Sequence, residues 1–221
     1  MPSFSNCELA SLALSAQGLQ ENNLAFWALE DLTDSSPNGN TLTNNNSVQF
    51  VAGKIGNCAE FNGTNNFLRL NSFSSSFNSS TPYSISIWHN ITTLKDFFTL
   101  VGCNSSTSLH IHGNLAGALA VNNSQSGDVS IASFFTTNTW HHLVVTRNAS
   151  NFIKVYKNAS LVYNALGGVT YGNVPNLQLG ALAGNGSFFL SGKLDAVGLW
   201  TSELSQADVN LLYNGGAGLQ L

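Results

Sequence analysis

The sequence predicts an all-β fold, an antiparallel β-sandwich with short helices at both ends. Three observations predict it. Short apolar runs recur along the chain, separated by clusters of Asn, Gly and Ser. Several runs alternate cleanly, as in Ser84-Ile85-Ser86-Ile87-Trp88, which places Ile85 and Ile87 on one face. At 221 residues the chain is long enough to bury one sizeable core without disulfides or metal.

Each element has its own signal. Glu8 to Gln17 reads as an amphipathic helix with Leu9, Leu12 and Ala16 on one face. The first strand is Leu24 to Leu29. A polar loop, Asp31 to Asn46, follows and contains the turn Ser36-Pro37-Asn38-Gly39. Strands are expected at Val48 to Val51, Cys58 to Asn62, Phe67 to Leu70 and Ser84 to Trp88. The middle region supplies Thr99 to Gly102, Leu109 to His112 and Leu115 to Val121. Trp140 to Arg147, Phe152 to Lys157 and Leu161 to Asn164 form a meander, and Leu177 to Ala181 and Leu190 to Trp200 complete the sheets. Ser205 caps a terminal helix that runs to Tyr213 with Val209 and Leu212 as its apolar positions. The organisation is thus a helical lead-in over 1–21, a sandwich over 22–214 and a flexible tail over 215–221, released by Gly215-Gly216-Ala217-Gly218.

Composition excludes some function classes. Charged residues make up 8% of the chain, against roughly 25% in an ordinary soluble domain, so solubility rests on Asn, Ser and Thr. A net charge of -4 leaves no basic face for nucleic acid. No apolar run approaches the ~20 residues of a membrane span. Cys7, Cys58 and Cys103 are an odd set without CxxC spacing, so at most one pair forms, and they read as buried thiols. The amino terminus is not a convincing signal peptide, because Glu8 sits where a basic region belongs and serines interrupt the apolar stretch.

Six segments in order resemble the laminin-G-like group of concanavalin-type jelly rolls. They are Leu24-Ala25-Phe26-Trp27-Ala28-Leu29-Glu30, Asp34-Ser35-Ser36-Pro37-Asn38-Gly39-Asn40, the run from Gly53 through Glu60-Phe61-Asn62-Gly63, Ser84-Ile85-Ser86-Ile87-Trp88, Trp140-His141-His142-Leu143-Val144-Val145-Thr146, and Ser191-Gly192-Lys193-Leu194-Asp195 with the helix after it. The resemblance covers Leu24 to Tyr213 and is specific for the fold, not for a ligand. The chain departs from the family pattern at Asn62 and Ala196, where acidic residues are common. It also departs at the hairpin tips Ala149 and Ala159, where glycine is usual. Alanine resists the positive φ of a type I′ turn, which leaves Asn148, Asn151 and Asn158 for the left-handed positions.

The resemblance implies a structural calcium ion between the opening loop and the last core strand. Its ligands would be Asp34, Asn38 and Asp195, with a backbone carbonyl near Asn62-Gly63. The alternative is that Asp34 caps its turn and Asp195 accepts from neighbouring amides.

No catalytic constellation is legible. There is no Gly-x-Ser-x-Gly elbow, and the eleven acids are scattered rather than paired on one strand. His110 and His112 share a strand face but lack further ligands nearby for zinc, while His141 and His142 face opposite sides. Phe97-Phe98, Phe134-Phe135 and Phe188-Phe189 are candidate sugar platforms, each with one ring expected in the core and the other exposed. Trp27, Trp88, Trp140 and Trp200 lie in strand motifs and read as core.

The expected function is therefore a non-enzymatic recognition or adhesion module, displayed on an extracellular face or a virion surface. Its expected partner is a glycan or surface polysaccharide. The alternative is a structural component of a virus particle, in contact with other protein subunits. The near-uncharged surface and the apolar ends (Leu9 and Leu12; Leu219 and Leu221) favour that alternative.

Overall fold

A computed structural model describes residues 18–72, 81–103, 109–121, 129–167, 176–182 and 187–221. The expected helix Glu8 to Gln17 and Cys7 lie outside the described residues. Among the described residues, fifteen strands form two stacked antiparallel sheets. The larger sheet contains β1 (Asn23–Trp27), β3 (Gln49–Ala52), β4 (Asn57–Asn62), β6 (Tyr83–Ile91), β11 (Trp140–Arg147), β12 (Phe152–Lys157), β13 (Ser160–Leu166) and β15 (Ser191–Trp200). Its order is β13-β12-β11-β6-β15-β4-β3, with β1 added on β15. The smaller sheet contains β2 (Thr43–Asn45), β5 (Phe67–Leu70), β7 (Phe98–Cys103), β8 (His110–Gly113), β9 (Leu119–Val121), β10 (Val129–Ile131) and β14 (Leu177–Leu179), in the order β10-β9-β8-β7-β14-β5-β2.

The two-residue period decides which side chains meet between the sheets. Tyr83, Ile85, Ile87 and Ile91 of β6 face inward against Phe98, Leu100 and Val101 of β7 and Leu177 and Leu179 of β14, all buried. Ser84, Ser86 and Trp88 alternate with them toward the other side. Cys58 and Cys103 are buried free thiols on strands of different sheets. Desolvation pushes the Cys58 thiol up to about 12, so it stays protonated.

A second apolar cluster covers the outer face of the larger sheet. Phe26, Trp88, Val144, Tyr156 and Trp200 lie under Leu19, helix α1 (Gln206–Tyr213) and the chain end. Trp200 Nε1 donates to Leu19 O at 2.6 Å, which ties the lead-in to the sheet. Ser205 caps α1 through a reciprocal pair with Asp208, as the cap signal requires. The tail differs from expectation. Residues 215–221 are not released: Leu219 and Leu221 pack on this cluster, and Gln220 Nε2 donates to Glu30 and to Ile55 O. The apolar content of the last three residues overrides the glycines, because the outer sheet face offers them an apolar seat.

Two strands escaped the sequence signal. Thr43-Asn44-Asn45 and Val129-Ser130-Ile131 are three-residue edge strands, too short to show alternation. The strand expected from Leu115 begins only at Leu119, because Asn114 closes a turn: its Oδ1 accepts from Ala118 N, and Gly117 takes φ +72°.

The tip joining β12 to β13 carries backbone strain. Asn158 and Ala159 both take positive φ, 51° and 65°, so alanine occupies a type I′ position after all. Asn151 takes φ 64° at the preceding tip, as expected. Ala159→Gly is expected to raise stability by about 1 kcal/mol, read as a higher urea midpoint at unchanged m-value. No gain would mean that the left-handed position is not the strained one.

Candidate functional site

The four residues implied as calcium ligands do not converge. Asp34 Oδ1 accepts from Phe26 N and Ser36 N, and Oδ2 from Ser36 Oγ and Asn40 N, all within 2.7–2.9 Å. Ser35 N also donates to Phe26 O, so the Asp34 loop runs along the edge of β1 that faces away from β15. Asn38 Nδ2 donates to Asn23 O and Leu24 O. Gly63 O accepts from Lys95 Nζ. It follows Asn62, which pairs with Ser191, about 13 Å along β15 from Asp195 at the usual strand rise.

Asp195 performs a different task. β15 is flanked by β4 along Ser191–Leu194 and by β1 from Val197 onward. A bulge between Asp195 and Gly198, with Ala196 at φ 44°, marks the change of neighbour. There Asp195 Oδ2 accepts from Lys54 N at 2.7 Å and Ile55 N at 2.9 Å, pinning the Gly53–Gly56 turn. Gly53 is required because a Cβ there would meet Asp195 Oδ2 at 2.6 Å. Asp34 and Asn38 share one loop, bridged by Ser36 Oγ, while Gly63 and Asp195 are held by other segments, so the four are not gathered around one calcium ion. Among the described residues no cluster of three or more His, Cys, Asp or Glu could hold a metal ion.

A Ser–His contact exists but is sealed. Ser86 Oγ and His142 Nε2 share a hydrogen bond of 2.8 Å on the outer face of the larger sheet. Both residues are buried, and the Trp88 and Tyr213 rings stack on the imidazole at 5.1 and 6.1 Å. Burial pushes His142 down to about 3, so it is a neutral packing group. His89 points into the core against Phe135 and is held well below the usual histidine range by burial.

An aromatic-lined cleft lies on the outer side of the smaller sheet. Phe97, Thr99, His110, His112, Leu182 and Phe188 line a shallow depression that encloses only about 20 Å³. Antiparallel register builds it: Thr99 of β7 pairs with His112 of β8, and His110 stands two residues away on the same face. Thr99 N donates to Phe188 O at 2.9 Å, which docks the segment before β15 beside β7. Phe97 and Phe188 are 42% and 40% exposed while neighbouring Phe98 is fully buried. Their rings lie 5.3 Å apart at 57°, and Phe97 lies 6.0 Å from His112. Phe188 sits at φ 59°, a conformation that a bulky L residue adopts at a cost of about 1–2 kcal/mol. Strain of this kind concentrates at sites where side-chain aim matters more than local stability.

Burial lowers both cleft histidines, His112 to about 4, and each is neutral at pH 7. His110 Nε2 contacts Cys103 O at 3.3 Å, leaving the His112 ring and the Thr99 hydroxyl as the polar groups of the lining. The paired phenylalanines at 97 and 188 and the shared face of His110 and His112 were each legible in the sequence. Their meeting was not, and neither Thr99 nor Leu182 carried any signal. Two pairs differ from expectation: Phe134 and Phe135 are both buried, closing the end of the core over His89, and Phe189 is only half-buried, against Phe67.

The sequence pattern of the concanavalin A-like lectin/glucanases superfamily matches residues 62–210, two thirds of the chain. The chain belongs to the concanavalin A-like lectin/glucanase superfamily. Among curated proteins, no sequence matches it. Solved structures of other superfamily-like domains share its fold. Domain 4 of AbnA, a GH43 extracellular arabinanase from Geobacillus stearothermophilus solved with arabinotriose, is 21% identical, with a TM-score of 0.69 over 90% of this chain and 98% of that one. The botulinum neurotoxin type C structure, whose cell entry depends on two ganglioside molecules, is 13% identical, with a TM-score of 0.72 over 92% of this chain and 53% of that one. The binding domain of Paraclostridial Mosquitocidal Protein 1 is 18% identical, with a TM-score of 0.69 over 90% and 53%. This lectin-like chain therefore spans about half of the two toxin chains and nearly all of the arabinanase domain. At these identities the likeness establishes the jelly-roll sandwich.

Proposed function

We propose that this lectin-like chain is a non-catalytic glycan-binding module, displayed on an extracellular face, and that the Phe97–Phe188–His112 cleft is its binding surface. The observation that carries the proposal is the pair of exposed rings set against two neutral histidines, one ring held by a strained backbone. Aromatic faces with a few placed polar groups are what small-ligand sites use. The arabinotriose complex of the AbnA domain, of matching length, supports the same reading. A binding role fits better than hydrolysis because no carboxylate is among the six lining residues, and glycoside cleavage needs two. The assembly alternative loses one of its supports, since Leu219 and Leu221 are used within the chain.

A glycan array probed with the wild type and with Phe97→Ala tests the proposal. The ring is more than a third exposed, so its removal should alter stability by no more than about 0.5 kcal/mol. Binding of the best array hit is expected to weaken about tenfold or more, equivalent to losing about 1.4 kcal/mol of contact. A blank array, or a hit indifferent to both Phe97→Ala and Phe188→Ala, would remove this cleft as the site.

A further inference from the structure

We propose that the cleft selects uncharged saccharide units and rejects carboxylated or sulfated ones. This rests on the glycan-binding reading and adds the chemical class of ligand. The chain has seven Lys and Arg residues, and all seven lie among the described residues. Lys54 sits over the Trp88 ring at 4.9 Å, on the far sheet. Lys95 donates to Gly63 O, and Lys157 to Phe134 O. Lys154 pairs with Glu203 at 2.8 Å and Lys193 with Glu60 at 3.5 Å. Arg147 is buried on β11 of the larger sheet.

Only Arg69 shares a sheet with the cleft. It lies in register with Gln178, Gly102 and His110, three strands and about 14 Å from His110. Between them the chain crosses over Gly102, where a Cβ would meet Ala181 O at 2.7 Å and Leu182 Cα at 3.0 Å. The segment that carries Leu182 thus lies over β7, between the strand of Arg69 and the cleft.

No Lys or Arg is among the six residues that line the cleft, and Lys95, two residues before Phe97, has its ammonium on Gly63 O, so an anionic sugar against Phe97 and Phe188 meets no cation in the lining to replace its water. His110 and His112 supply no positive charge at neutral pH, because both are desolvated by the aromatic lining. A neutral pyranose meets the cleft on better terms. Its C–H face covers the two exposed rings, with the buried Thr99 and His112 beneath them. The rings touch each other at 5.3 Å, so the sugar lies across both rather than between them.

The test uses the full chain at pH 7 and matched probe pairs, each a neutral oligosaccharide and its singly sialylated counterpart. Neutral members are expected to bind at least tenfold more tightly, with no loss between about 0.05 and 0.5 M salt, as an uncharged contact requires. Phe97→Ala and Phe188→Ala are each expected to weaken them. Acidic members binding as well as or better than neutral ones, still through Phe97, would overturn the selectivity and leave the glycan reading standing. Loss of neither probe in both variants would instead sink the cleft reading, and this inference with it.

Discussion

Acidification from pH 7 to pH 5 is expected to remove about 3 kcal/mol or more of folding stability. His142 and His112 have their pKa pushed down to about 3 and about 4 by burial, against an ordinary value near 6.5. The unfolded chain therefore binds protons at these positions between pH 6.5 and 5 while the native state does not. Stability from a depressed group is full above the unfolded value and is lost as pH falls toward the folded one. Over about 1.5 pH units below 6.5 each histidine contributes a loss of about 2 kcal/mol. His89 and His110, also held down by burial, add to the same side. Asp195 opposes it. Desolvation raises its carboxyl to about 6, so the native state takes up that proton more readily and regains about 1 kcal/mol by pH 5. Urea unfolding at pH 7, 6 and 5 measures the sum. A midpoint that holds steady or rises on acidification would show that the histidines are solvated and that the interior differs from the one described. His89→Phe, which removes one titrating ring from the core, is expected to make the profile shallower.

Asp34→Ala is expected to destabilise the fold by about 3 kcal/mol, measured as the change in urea midpoint at fixed m-value. The carboxylate accepts four hydrogen bonds, three of them from backbone amides of β1 and the loop that follows. Bonds to a charged acceptor each contribute about 1.5–3 kcal/mol, and water regains part of that in a surface loop. Asp34→Asn keeps an acceptor oxygen and is expected to lose about half as much. Because these four donors occupy the oxygens, a chelator is expected to leave the melting temperature of the wild type unchanged. A chelator-sensitive melt that becomes insensitive in Asp34→Ala would reinstate a metal at this residue and overturn the account of its loop.

The fold was legible because its signals are local. Alternation in Ser84-Ile85-Ser86-Ile87-Trp88 reports a half-period that no tertiary contact needs to explain, and β6 indeed carries Ile85 and Ile87 inward. The Ser205 cap of α1 is equally local. Three-residue strands at the edges were illegible because Thr43-Asn44-Asn45 owes its conformation to pairing with Phe67–Arg69, distant in the chain. Glycine-rich residues 215–218 misled for a related reason: local freedom does not report that Leu219 and Leu221 find an apolar seat. The resemblance pointed to Asp34 and Asp195 as calcium ligands, with amide acceptance as the alternative, and only tertiary geometry shows both carboxylates accepting from backbone amides.

The candidate site divides the same way. By itself, the amino-acid order determined a two-layer antiparallel sandwich, the identity of many of its inward-facing residues, and the presence of Phe97, Phe188 and a same-face His110–His112 pair. Tertiary structure alone decided that Thr99 stands opposite His112, that Phe188 docks on Thr99, and that Phe134 and Phe135 are buried while Phe97 and Phe188 face outward. The physical reason is range. Periodicity and capping act over a few residues, whereas a cleft between strands 80 or more positions apart exists only once register between them is set.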